Sequence, residues 1–196
     1  MTNNEVEIIS LGIFNKYVTR GGSYKQFQNI MKTEGIKFKE KPVENADFLG
    51  ALIFGANNQP YIFIQENINN PGRKNFTIAH ELGHFFLNHK LHSRQFLCQE
   101  NQIVEENDVS DSIEQEANYF ASCFLMPKQK ITSAFLGMLK FSSRLKNKKH
   151  LVVDNQTYGS WIKIKNDLTK RYGVSETALR YRLIKLNLLE ISFSLG

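Results

Sequence analysis

Cysteine is scarce in this chain. Cys98 and Cys123 are the only two in 196 residues, and neither stands at metal-ligand spacing. A disulfide-stapled fold and a cysteine-built zinc module are therefore excluded, and two free thiols suit a reducing cytoplasm. The opening residues Met1 to Glu5 bring neither a basic start nor an apolar stretch, so no secretory signal is expected. Long hydrophobic runs are missing too. Leu49 to Gly55 is among the longest, far short of a membrane span, so no membrane partner is expected. What is present is core material: 41% hydrophobic residues with 15 Phe and 7 Tyr, enough for one moderate domain or one with a small appendage.

Charge is unevenly placed. Residues 1–127 hold 11 Lys and Arg against 15 Asp and Glu, whereas residues 128–196 hold 14 against 4. A mildly acidic front and a strongly basic back point to an acidic partner for the back, nucleic acid being one and a solvated basic face the plain alternative.

Along the chain, Val6, Ile9, Leu11, Phe14 and Val18 fall at loosely helical spacing and stop at Arg20-Gly21-Gly22. Ser23 caps a second helix, to about Thr33, on a stripe of Phe27, Ile30 and Met31. Three strand-like runs follow. Ile36 to Lys39 alternates apolar with charged; Leu49 to Phe54 and Tyr61 to Gln65 are joined by turn chemistry at Ala56 to Gln59 and form a hairpin. Asn70 and Pro71 then open a helix expected to reach about residue 89. The stretch from Gln95 to Asp111 is polar, acidic and without period, a surface loop or flap. Another helix is expected from Ser112 to Leu125, stopped by Pro127.

The third of these helices carries His80-Glu81-Leu82-Gly83-His84. Positions i and i+4 share a helix face, so both imidazoles can address one metal ion while Glu81 reaches a water there as general base. Ile78, Ala79, Leu82, Phe85, Phe86 and Leu87 make this helix apolar nearly all round, hence buried, and buried ionisable groups need partners. The plain alternative is a pair of hydrogen-bonded core histidines. A hydrolytic zinc site has three protein ligands and an open position. The extended three-histidine pattern is excluded, because Leu87 and Lys90 stand where glycine and histidine are required. His89 falls on another helix face. Glu114 and Glu116 remain. Glu114 shares a face with Ala117, Asn118 and Ala121, small enough to allow close approach, and Gly83 narrows the motif helix likewise. Glu114 could instead close a capping box with Asp111, and Glu116 stays open as the rival ligand. Tyr119, Asn118 and His89 are candidates to hydrogen-bond an oxyanion, and Tyr61 to Gln65 is a candidate edge strand for holding substrate.

Toward the end, Trp161, Ile162, Ile164 and Leu168 mark a helix closing at Tyr172-Gly173. Ser175 caps the next, with Leu179, Leu183, Ile184 and Leu186 as its stripe and Asn187 at its close. Helix, short turn, helix, with Arg180, Arg182 and Lys185 on the second, is a helix-turn-helix pattern; DNA is a second candidate partner through 159–191. The organisation read here is a metallopeptidase-like domain over 1–127, a basic connecting segment over 128–158 and a helix-turn-helix-like segment over 159–191.

Phe76 to His84, then Glu114-x-x-Ala117-Asn118-x-Phe120-Ala121, Leu125-Met126-Pro127 and Arg171 to Ser175, together resemble the ImmA/IrrE family of zinc-peptidase-like proteins. The resemblance implies an α+β, gluzincin-like core, a small sheet packed on helices, with a helix-turn-helix-like segment at its end. It implies His80, His84 and Glu114 as ligands of zinc (Zn2+), Glu81 as the catalytic base, and a zinc metallo-endopeptidase that cleaves or inactivates a helix-turn-helix repressor of a mobile element or stress response. The alternative is a non-proteolytic regulator or toxin-antitoxin component that binds a repressor or DNA.

Overall fold

The structure is a computed structural model and describes residues 1–18, 23–45, 47–89, 112–140, 145 and 148–192. It is α+β, as expected. Helix α1 (Asn3–Tyr17) starts at a capping box, in which Thr2 Oγ1 accepts from the Glu5 N–H and the Glu5 carboxylate accepts from the Thr2 N–H, satisfying donors that a helix start leaves open. Helix α2 (Ser23–Thr33) buries Phe27, Ile30 and Met31, and Gly35 leaves it with φ +69. The stop at Arg20 to Gly22 and the loop over 95–111 lie outside the described residues.

Strands β1 (Lys37–Lys41), β2 (Gly50–Phe54) and β3 (Pro60–Gln65) form one sheet in the order β1-β3-β2. The β2–β3 hairpin turns through Ala56–Asn58, where Asn57 and Asn58 both adopt positive φ, a conformation that asparagine tolerates better than most. β1 pairs with β3 in parallel and β2 pairs with it antiparallel. Tyr61 to Gln65 is thus the central strand, not the edge the sequence reading assigned. A parallel pair has no tight turn joining it, so nothing in the local sequence announces that β1 closes β3's other side.

Helix α3 (Pro71–Phe86) is capped by Asn70, whose side chain accepts from the Arg73 N–H, with Pro71 in the first turn. It ends earlier than expected, because Leu87 leaves the helix and Asn88 takes φ +53. Helix α4 (Ser112–Leu125) has the predicted bounds. The two lie against each other at Gly83, where an added Cβ would stand 3.2 Å from Ala117 Cα.

The segment 128–158 holds more than its lysines suggest. Helix α5 (Lys128–Lys140) begins directly after Pro127 and buries Ile131, Phe135 and Leu139 at four-residue spacing. Strand β4 (Leu151–Val153) pairs in parallel with β5 (Leu189–Ile191). Between those strands, α6 (Tyr158–Tyr172) ends at Gly173 in the left-handed region and α7 (Glu176–Lys185) is capped by Ser175, as read from sequence. One hydrophobic core runs from Val6 to Leu189 through all of these elements.

The turn between α6 and α7 is seated on α3. A Cβ on Gly72 would lie 2.3 Å from the Val174 carbonyl carbon and 2.5 Å from the Ser175 nitrogen, and Asn75 Nδ2 donates to Gly173 O at 2.8 Å. Neither obstructing atom belongs to a movable side chain. Gly72→Ala should therefore destabilise by about 1–3 kcal/mol, lowering the melting temperature by roughly 3–10 °C at this chain length. A thermal melt indistinguishable from wild type would show that α3 and the turn are not held this closely.

Candidate metal centre

Helix geometry brings His80 and His84 onto one face of α3, and α4 faces them with Glu114. His80 Nε2 and His84 Nε2 are 2.9 Å apart. The two oxygens of Glu114 stand 3.1 Å from His80 Nε2 and 3.3 Å from His84 Nε2. All three side chains are buried, and one ligand atom from each falls within 4.8 Å of the others. Four-coordinate zinc with ligand bonds of about 2.0–2.2 Å has neighbouring ligand atoms about 3.3 Å apart, so these spacings suit one small cation.

Two further observations test that fit. His80 Nδ1 lies 2.9 Å from Asn118 Oδ1. An amide oxygen only accepts, so Nδ1 carries a hydrogen and, in the neutral ring that binds metal, Nε2 turns a lone pair toward Glu114. Neither oxygen of the Glu114 carboxylate has a well-formed hydrogen bond although both are buried. With both imidazoles neutral, their Nε2 lone pairs and the Glu114 oxygens converge on one point, a donor set that suits a cation. Arg182, the one fully buried Arg or Lys among the described residues, is committed to Glu7 and Met126 and cannot supply that charge.

The electrostatics agree. Burial works to raise the Glu114 carboxyl, but His80 and His84 overcome it and hold it down at about 2. Burial lowers His84 to about 4. For His80 burial works downward and is outweighed by Glu114, Glu81 and Asn118, so its basicity rises; a site that raises an imidazole this way favours positive charge. Glu81 is fully buried, and burial lifts its carboxyl to about 7. The Leu52 N–H is near enough to favour the ionised form without making a well-formed hydrogen bond. Glu81 and Glu114 are one residue type driven apart by their surroundings, a signature of divided roles.

The other sequence candidates are engaged elsewhere. Glu116 Oε2 lies 3.2 Å from His89 Nε2, outside the three-residue cluster. His89 has its two ring nitrogens on His84 and Glu116, Asn118 holds His80, and the Tyr119 hydroxyl donates to Glu7 at 2.9 Å. His89 and Tyr119 are thereby occupied, while for Asn118 it is the acceptor Oδ1 that is engaged. Asn118 was within reach of sequence reasoning as a histidine-orienting residue, since it shares the Glu114 face. The approach of β2 to the site was not: a Cβ on Gly50 would lie 3.2 Å from Glu81 Oε1.

A small α+β domain with an HExxH helix and a glutamate on the following helix has the arrangement of a metallopeptidase-like domain. The chain belongs to the family described as the IrrE N-terminal-like domain, peptidase family M78, whose model matches residues 31–184. Among solved structures, a Mycobacterium tuberculosis transcriptional regulator is similar in fold, with a TM-score of 0.57 at 18% sequence identity; the similarity covers 92% of this chain and 48% of that one, so this chain spans about half its length. No curated protein matches this sequence.

The Glu81 shift has a measurable consequence in metal-free protein. Its folded-state pKa of about 7 lies above its ordinary 4.5, so the fold favours the protonated carboxyl and loses stability as pH rises from 4.5 through 7. Fully ionised, the buried carboxylate destabilises by about 3 kcal/mol. With metal chelated, Glu81→Gln should melt several degrees above wild type at pH 8, and the gap should shrink to a small fraction of that at pH 5. Parallel melting curves across this range would mean that Glu81 is not held in a desolvated state.

Proposed function

We propose that this protein is a zinc-dependent endopeptidase acting on a regulatory protein, a helix-turn-helix repressor of a mobile element or stress response. The observation that carries the catalytic part is the juxtaposition of the His80, His84 and Glu114 cluster with a buried, proton-accepting Glu81. The family supports peptide hydrolysis, and the resemblance of the HExxH and ExxAN runs supports a repressor as substrate. The buried free thiol of Cys123 suits a cytoplasmic setting, and no helix among the described residues is long and apolar enough to cross a membrane.

His80, His84 and Glu114 would hold the ion, which supplies Lewis acidity, acidifying water and polarising a carbonyl. The chain's own residues do the rest. Glu81 accepts a proton from the attacking water and hands it to the leaving amine. Asn118 fixes the His80 tautomer. Substrate would lie along β2 rather than β3. The Gln65 N–H donates to Leu49 O at 2.9 Å, so alternate residues Leu49, Ala51 and Ile53 face β3. Gly50, Leu52 and Phe54 turn their main-chain groups to the other edge, unpaired by any strand among the described residues. A peptide added there meets the strand at the end nearest Glu81.

The second reading, a regulator acting by binding, retains the metal cluster but gives Glu81 no task. As for DNA, Ala178, Leu179, Arg182 and Leu183 of α7 are buried and its start is seated on Gly72, which leaves little of the helix to enter a groove. Attachment of α6 and α7 to the peptidase core is the better supported role for them.

Purified protein should carry about one zinc per chain, lost in His80→Ala and in Glu114→Ala. Glu81→Gln should retain the zinc and lose roughly 10²–10⁴-fold in cleavage rate. Co-expression with a repressor encoded next to it is the direct assay: cleavage that vanishes in Glu81→Gln is expected, while an intact repressor under every inducing condition would favour the binding reading.

A further inference from the structure

His89 and Glu116 stand behind His84, outside the ligand cluster. After Phe86 the chain leaves the helix, and the left-handed Asn88 (φ +53) turns His89 back beneath His84, with the His89 N–H donating to His84 O at 3.1 Å. This reversal puts His89 where helical extrapolation from sequence cannot, since a continued helix would send it to another face.

With both imidazoles neutral, the hydrogens along this line follow from what each atom can do. Glu116 Oε2 lies 3.2 Å from His89 Nε2. An ionised carboxylate only accepts, so His89 Nε2 carries the hydrogen and, in a neutral ring, Nδ1 is the acceptor. His89 Nδ1 lies 2.9 Å from His84 Nδ1. His84 must then donate from Nδ1, which leaves its Nε2 bare. That nitrogen is the one facing Glu114 at 3.3 Å and His80 at 2.9 Å.

We infer that Glu116 and His89 form a two-step hydrogen-bond relay that holds His84 in the Nδ1–H tautomer, making both of them positioning residues for the metal site. Asn118 does the same for His80 in one step, from the same helix that supplies Glu114. The two glutamates of α4 therefore divide the work: Glu114 reaches the cluster, and Glu116, two residues on, sets a ligand's tautomer from behind. This inference rests on the metal reading of the cluster, but its first measurement does not need the metal.

Long-range proton–nitrogen NMR correlation on metal-free, ¹⁵N-histidine-labelled protein reads the tautomer directly. Wild type should show His84 with its hydrogen on Nδ1. His89→Leu and Glu116→Ala should lose that pattern and weaken zinc binding, measured by chelator competition, by roughly 10–100-fold. His89→Gln, which can accept from His84 and donate to Glu116 in the same positions, should restore most of the affinity. The relay is overturned if His84 keeps its tautomer in both disabling variants, or if the tautomer changes while zinc affinity stays within about twofold of wild type. Glu116 is less buried than His89, so Glu116→Ala decides the matter should His89→Leu fail to fold. A wild-type protein that takes up no zinc would sink the metal reading, and the metal-free tautomer would still judge the relay.

Discussion

The close approach of α3 and α4 is the constraint on which the site depends. Gly83 and Ala117 have so little side chain between them that a methyl group added at Gly83 would press on both the Phe120 ring and the Ala117 backbone. Only at such a spacing can a glutamate at the start of one helix reach two imidazoles on the other. The same approach removes water, so groups that would be ordinary at a surface become costly unless they are matched. A mid-helix glycine gives up about 1 kcal/mol of helix stability relative to alanine, and close packing along this seam offsets it.

Around that seam every ionisable group is given a distinct task by its neighbours rather than by its own chemistry. Glu114 is held ionised between imidazoles, while Glu81, one residue from His80, is pushed toward neutrality by burial and by the absence of good donors. The ligand histidines are oriented from behind by residues that supply no atom to the cluster, Asn118 on His80 and His89 on His84. Such outer contacts fix the tautomer and ring orientation of a ligand histidine.

How much of this could be read from the chain follows from how local each signal is. The motif helix, its Asn70 cap, the bounds of α4 and the Gly173 and Ser175 turn were legible, because each rests on residues within a few positions of one another. The pairing of Glu114 with the histidines was legible from helix faces and small residues. The parallel docking of β1 was not, since it leaves no turn behind it, and the substrate edge was misassigned as a result. The α5 stripe of Ile131, Phe135 and Leu139 was present but obscured by surrounding lysines, which remain solvated on its outer face. His89 was misplaced because one residue, Asn88, reverses the chain. Asn118 and Tyr119 are neighbours whose side chains leave α4 in different directions, one toward His80 and the other toward Glu7.

The Arg182 clasp bears on how the molecule comes to exist. Its guanidinium joins Glu7 on α1 to the Met126 carbonyl beyond α4, a contact spanning 175 residues of sequence. During vectorial synthesis at about 5–20 residues per second, Glu7 emerges long before its partner is made. Until α7 leaves the ribosome, the Glu7 carboxylate has water in place of the Arg182 guanidinium. Such long-range closure slows folding relative to local contacts, and it links completion of the peptidase core to synthesis of the basic helices at the other end.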